Sequence, residues 1–144
     1  MAFSGEDYVP ALPLIQIEDG AAPWLMGSHC SNCGATVNGP RLACPACGKR
    51  DSLSAVNLGR KGKLYSYTIV HRSYPGVKTP FVAAVVDLED GGSLKGTLLD
   101  VEPDPDKLPP DMPVEVVFRD TGQKNTEGKA FLSYYFVPAR GEAA

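Results

Sequence analysis

The chain has 144 residues, 43% of them hydrophobic and 22% charged, with a formal net charge of −3. These are the proportions of one soluble globular domain, or of a small domain with an appended mini-module, and they exclude fibrous and disordered classes. No apolar run approaches the roughly 20 residues of a membrane span, and "MAFSGEDYVP" has neither the basic start nor the apolar centre of a signal peptide, so a cytoplasmic protein is expected.

Residues 1–28 read as an irregular arm. Prolines at 10, 13 and 23 argue against a long helix, and the apolar Leu14, Ile15, Trp24 and Leu25 are expected to pack on a neighbouring segment or a partner chain.

All four cysteines follow within residues 29–52, as two C-x-x-C-G pairs: Cys30 and Cys33, then Cys44 and Cys47. In a reducing compartment such pairs suit a metal better than disulfides, because each tight turn presents two thiolates to one ion. Gly34 and Gly48 permit the positive φ with which the backbone folds back over the sulfurs. A structural zinc ribbon is expected, one Zn2+ per chain, with rubredoxin-like iron or a redox pair as alternatives. Four thiolates fill the tetrahedron and leave no position for water or substrate. His29, beside Cys30, is then a bystander rather than a ligand.

Charge is distributed unevenly around this module. From Arg41 to Lys78 there are eight bases against the single acid Asp51, whereas residues 1–40 carry four acids and no base and residues 79–144 carry twelve acids against six bases. A basic middle between acidic ends suits a phosphate group, a nucleic acid or an acidic protein surface, or else is a solvated strand face.

Residues 53–140 read as strands separated by turn chemistry, with a short tail at 141–144. "GKLYSYTIVHR" is a long strand with Tyr65, Tyr67, Ile69 and His71 on one face and Leu64, Ser66, Thr68 and Val70 on the other. "PFVAAVVDL" and "SLKGTLL" form a hairpin across Asp90, Gly91 and Gly92. "VEPDPDKLPPDM" is an acidic, proline-rich connection with at most one helical turn, capped by Asp104 or Asp106. "PVEVVFRD" and "AFLSYYFVP" flank the loop "TGQKNTEGK". The expected fold is mainly β: a rubredoxin-like zinc ribbon followed by a five-stranded, closed OB-fold barrel.

"WLMGSHCSNCG", "CPACG", "LGRKGKLYSYTIVHR", "TPFVAAVVDLEDG", "LLDVEPDPDKLPPDMPVEVVFRD" and "YYFVPA", in that order, resemble the zinc-ribbon and OB-fold proteins known as domain of unknown function 35 (DUF35). The resemblance runs from Trp24 almost to the end, and its specificity lies in the ordered combination, since many ribbons share the cysteine pairs alone. The N-terminus departs from it: many members carry an amphipathic helix where this chain has prolines.

The resemblance implies a non-catalytic subunit of a thiolase-like acyl-CoA enzyme. Family partners include thiolases and hydroxymethylglutaryl-CoA synthase of archaea, steroid side-chain aldolases, and the thiolase that cleaves benzoylsuccinyl-CoA in anaerobic toluene breakdown; "RKGKLYSYTIVHR" and "SYYFVP" point most sharply to the last. Thiolases are commonly dimeric, which implies a heterotetramer of two plus two. The chain's own chemistry agrees, because thiolysis needs an activated nucleophilic cysteine and every cysteine here is assigned to metal. On this reading Arg60, Lys61 and Lys63, with Arg72 and Lys78 behind them, contact CoA phosphates or else acids of the partner. Leu14, Ile15, Trp24, His71 and Tyr74 would face the partner. A different class stays open: an OB-fold binding single-stranded nucleic acid by stacking Tyr65, Tyr67 and Tyr74 beside a basic groove, against which the acidic balance argues.

Overall fold

The computed structural model describes residues 3–139. Along them run β1 (Tyr8–Pro10), β2 (Ile15–Gln16), β3 (Trp24–Cys30), β4 (Thr36–Asn38), β5 (Leu53–Asn57), β6 (Lys61–Val70), β7 (Phe81–Leu88) and β8 (Ser93–Leu98). A 3-10 turn (Pro105–Lys107), β9 (Pro113–Lys124) and β10 (Ala130–Pro138) complete the order. The expected tail, residues 141–144, and the first two residues of the expected arm lie outside the described residues.

The larger sheet has the order β1-β10-β8-β7-β6-β9, and β9 also pairs with β10. The five strands β6 to β10 therefore close on themselves as the expected five-stranded OB-fold barrel, which removes their free edges. Period-two patterning drives this: Val82, Ala84, Val86 and Leu88 of β7 are buried, as are Val114, Val116 and Phe118 of β9 and Leu132, Tyr134 and Phe136 of β10. β7 and β8 pair from Val82↔Leu98 to Asp87↔Ser93, so the hairpin turns across Asp90, Gly91 and Gly92 as expected. Asp104 caps the 3-10 turn by accepting the Asp106 N–H at 3.0 Å.

Two local expectations are corrected. β9 continues to Lys124 rather than ending before Thr121, and the chain reverses instead at Asn125–Gly128, where the Asn125 side chain accepts the N–H groups of Glu127 and Lys129. In β6 the register slips: Leu64 opposes Val86 and Ser66 opposes Val85, leaving Tyr65 without a partner. Up to the slip, burial alternates, with Gly62 and Leu64 buried and Lys61, Lys63 and Tyr65 (71% exposed) outward; beyond it the parity inverts, so Tyr65 does not share a face with the half-buried Tyr67 and Ile69 as the sequence suggests.

The smaller sheet is built on β3, which carries β2 and β4 along one edge and β5 on the other. Leu53–Asn57, read from the sequence as the start of the barrel segment, pairs antiparallel with β3 from Cys30↔Leu53 to Met26↔Asn57. Gly27 sits between Asn38 and Val56, and a Cβ there would lie 2.7 Å from the Val37 carbonyl oxygen. By internal packing the chain divides into two units: residues up to Gly59 with Asp90–Gly92 and Phe118–Tyr134, and Arg60–Glu89, Ser93–Val117 and the residues from Tyr135 onward.

Candidate metal centre and basic segment

Each cysteine pair sits in the same turn. The Cys30 N–H donates to the Ala35 carbonyl at 2.8 Å and the Cys44 N–H to the Lys49 carbonyl at 2.9 Å. The Gly34 and Gly48 N–H groups donate back to the Cys30 and Cys44 carbonyls at 2.9 and 2.7 Å, and both glycines have φ of 82°, the left-handed conformation anticipated for them. Even the flanking pairing repeats, His29↔Thr36 in one knuckle and Ala43↔Arg50 in the other.

The two turns bring the sulfurs of Cys30, Cys33, Cys44 and Cys47 within 4.8 Å of one another. Cys30 Sγ is 3.8 Å from Cys47 Sγ, and Cys33 Sγ is 3.6 Å from Cys44 Sγ. A tetrahedron with metal–sulfur bonds of about 2.3 Å has edges of about 3.8 Å, which these two separations match. None of the four is in a disulfide. His29 is outside the set; its Nδ1 lies 3.0 Å from Thr36 Oγ1.

The sulfurs differ in their surroundings. Cys30 and Cys44 are buried, while Cys33 and Cys47 are exposed. The Ser52 hydroxyl, 3.2 Å from Cys30 Sγ, leads the interactions that lower the Cys30 pKa from 9.0 to about 6, with the Cys33 backbone N–H next. The Asn32 amide donates to Cys47 Sγ at 3.4 Å and is the main cause of a lowered Cys47 pKa. At Cys33 the Ala35 N–H pulls downward, but the sulfurs of Cys44, Cys47 and Cys30 together with burial push the group up to about 12. Like charges this close oppose one another's ionisation, and a bound cation would stabilise the thiolate form.

Ser52 and Asn32 escaped the sequence reading. Asn32 lies inside the first C-x-x-C, where its amide was a readable clue; Ser52 reaches Cys30 only because β5 pairs with β3 and the Ser31 N–H donates to the Ser52 carbonyl at 2.8 Å.

The five candidate phosphate contacts do not form one patch. Arg60, Lys61 and Lys63 lie at the start of β6, and Arg72 and Lys78 lie beyond its far end; the ten residues of β6 span about 30 Å at ~3.3 Å per residue. Lys61 stands directly opposite Glu115, and Lys63 directly opposite Asp87, so both have acids across the strand. Arg72 and Lys78 are exposed in the β6–β7 connection, which contains no acid between His71 and Pro80. In that connection the Val77 N–H donates to the Tyr74 carbonyl at 3.1 Å across Pro75 and Gly76, whose φ is 91°, a turn that leaves Tyr74 83% exposed. His71 is exposed beside Arg72.

The arm residues fare differently. Ile15 pairs with Leu25 and both are 1% exposed, which corrects the placement of Ile15 at a partner surface: its side chain is consumed by its own sheet. Leu14 and Trp24 are half-buried, and the Trp24 indole N–H donates to Glu18 Oε2 at 2.6 Å. No helix among the described residues is long and apolar enough to cross a membrane.

Residues 55–119 match the family model described as ChsH2, C-terminal OB-fold domain. A DUF35 domain-containing scaffold protein of Methanocaldococcus jannaschii is 32% identical over 116 residues, covering 79% of this chain and 81% of the relative. The benzoylsuccinyl-CoA thiolase subunit BbsA of Thauera aromatica is 34% identical over 119 residues, 82% of this chain and 78% of the relative. Among solved structures, the chain in the Ltp2-ChsH2(DUF35) aldolase aligns with a TM-score of 0.62 at 28% identity, covering 80% of this chain and 84% of that one.

Proposed function

The chain belongs to the DUF35 family, and on that premise we propose that it is a non-catalytic, zinc-stapled subunit of a thiolase-like acyl-CoA enzyme. The observation that carries the proposal is the convergence of all four cysteines on one metal-sized tetrahedron. With every thiol committed, the nucleophile for making or breaking a C–C bond next to a thioester has to come from another chain. Zn2+ suits the site because it forms closed, redox-inactive S4 centres. The ribbon has too few residues for a core of its own, and the metal supplies the missing cohesion.

The likeness to the BbsA subunit favours thiolytic cleavage of benzoylsuccinyl-CoA by the assembled enzyme, with two copies of each subunit, over partnership with a steroid side-chain aldolase or hydroxymethylglutaryl-CoA synthase. In such a complex the partner's cysteine takes the acyl group while this subunit braces the mouth of the acyl-CoA pocket. Of the bases, Arg72 and Lys78 have no acid in their own loop and are best placed for CoA phosphates; Lys61 and Lys63, next to Arg60, lie where Glu115 and Asp87 of neighbouring strands compete. Tyr74 and His71, on the same exposed turn, are the proposed partner contacts, with Leu14 and Trp24 contributing from the arm.

Co-expression with a thiolase-like subunit tests this. The expected result is one complex in gel filtration, with thiolysis that neither chain performs alone. Titration of that complex with CoA should show weaker binding for Arg72→Ala/Lys78→Ala than for Arg60→Ala/Lys61→Ala. Full thiolysis by the partner in the absence of this chain would overturn the proposal.

A further inference from the structure

The acidic, proline-rich connection between β8 and β9 has no part in the proposed role, yet it forms one wall of a groove of about 420 Å3. The other wall is Tyr65, Ser66 and Tyr67 of β6; Pro105, Leu108, Pro109 and Pro110 face them. We propose that this groove docks an extended, basic, proline-containing segment of a partner protein. The inference does not depend on which enzyme the chain accompanies.

Three observations support it. First, the groove is preformed. The Leu64 N–H donates to the Met112 carbonyl at 2.9 Å and the Asp111 N–H to the Leu64 carbonyl at 3.1 Å, tying the two walls together. Leu108, 3% exposed, anchors the proline wall, and the rings of Pro105, Pro109 and Pro110 fix its backbone. Little conformational freedom is left to lose on binding.

Second, its surface is apolar and aromatic. Tyr65 points outward in step with Lys61 and Lys63, at 71% exposure, and neither the Tyr65 nor the Tyr67 hydroxyl has a hydrogen-bond partner among the described residues. Flat rings with free hydroxyls suit a polyproline helix, whose prolines pack between aromatic ridges while its unpaired carbonyls accept hydrogen bonds.

Third, the rim is negative. Residues 100–111 hold Asp100, Glu102, Asp104, Asp106 and Asp111 against Lys107 alone, and Lys107 already lies 4.0 Å from Glu102. Asp104 is occupied by its cap, while the carboxylates of Asp106 and Asp111, on either side of the prolines, are exposed and unpartnered among the described residues. A phosphate backbone would be repelled here, so the stacking of nucleic-acid bases on Tyr65 and Tyr67 is disfavoured by the acids that complement Lys or Arg flanks.

The test uses the full chain, metal-loaded, labelled with 15N. The probe is a synthetic twelve-residue peptide with a Pro-x-x-Pro centre and arginine flanks; a glutamate-flanked version and oligo-dT are comparisons. Amide shifts confined to residues 64–67 and 105–112, saturable with the arginine peptide and at least about tenfold weaker with the glutamate peptide, are expected. Tyr65→Ala should weaken binding by about tenfold or more, and Asp106→Asn/Asp111→Asn should abolish the preference between the two peptides while leaving the fold unchanged. Equal affinity for both peptides, shifts elsewhere on the chain, stronger binding of oligo-dT, or no saturable binding would each overturn the inference.

Discussion

Replacing Ser52 by alanine removes one hydroxyl and nothing else that the ribbon uses. The Ser52 carbonyl still accepts the Ser31 N–H at 2.8 Å, so the link between β5 and the first knuckle survives. What is lost is the 3.2 Å contact to Cys30 Sγ, the largest influence on the lowered pKa of that thiol. Among the described residues, Ser52 and Asn32 are the two side chains outside the cysteines that hydrogen-bond a sulfur here, and Ser52 is the buried one, at 8% exposure, where water does not readily replace it. Loss of a hydrogen bond that orients a metal ligand costs about 10- to 100-fold in metal affinity. The buried position puts Ser52→Ala toward the upper part of that range and Asn32→Ala, at an exposed sulfur, toward the lower. Competition against a chromophoric chelator at pH 8 measures this directly, with Ser54→Ala, an exposed neighbour on β5, as the control. If Ser52→Ala binds Zn2+ within about twofold of the parent chain, the claim that Ser52 completes the metal centre is refuted.

Metal loading at pH 8 should release at most three protons from the four thiols, because Cys30, with a pKa of about 6, is already a thiolate; calorimetry in buffers of different ionisation enthalpy counts them. The sign is fixed by the lowered pKa: affinity falls further as pH drops through about 6, where Cys30 begins to hold its own proton against the metal. Gly27→Ala should destabilise the chain by about 1–3 kcal/mol in denaturant unfolding, since its methyl would meet the Val37 carbonyl and Leu58. Phe136→Ala, at a fully buried barrel position, should cost about 3–5 kcal/mol in the same assay.

A candidate set of metal ligands is legible in a sequence when it is local, and here it is. Each C-x-x-C-G carries its own turn, its own glycine at positive φ and its own backbone hydrogen bonds, so only the approach of the two turns was left to the fold. The barrel was legible for a related reason, because period-two burial in β7, β9 and β10 is written in the order of residues. Ile15 was not, because an apolar residue among prolines looks the same whether it meets a partner or, as here, Leu25 ten residues later.

Register is the property that local pattern cannot express, and the unforeseen features of this chain follow from it. Lys61 and Lys63 read as part of a free basic run until pairing sets Glu115 and Asp87 opposite them, from strands far away in sequence. Tyr65 reads as one of a row with Tyr67 and Ile69 until a single slip between Leu64 and Ser66 parts them, leaving Tyr65 exposed and the other two half-buried. Just before the slip, Leu64 is 2% exposed and its backbone is bonded to Asp111 and Met112, which ties the two walls of the tyrosine–proline groove together. A bulge costs ladder hydrogen bonds, and this one places an unpaired aromatic beside a rigid acidic rim. The place where the β6 pattern breaks is therefore where a binding surface should be sought, and the proline-rich connection is better understood as the counter-wall of that surface than as a spacer between two strands.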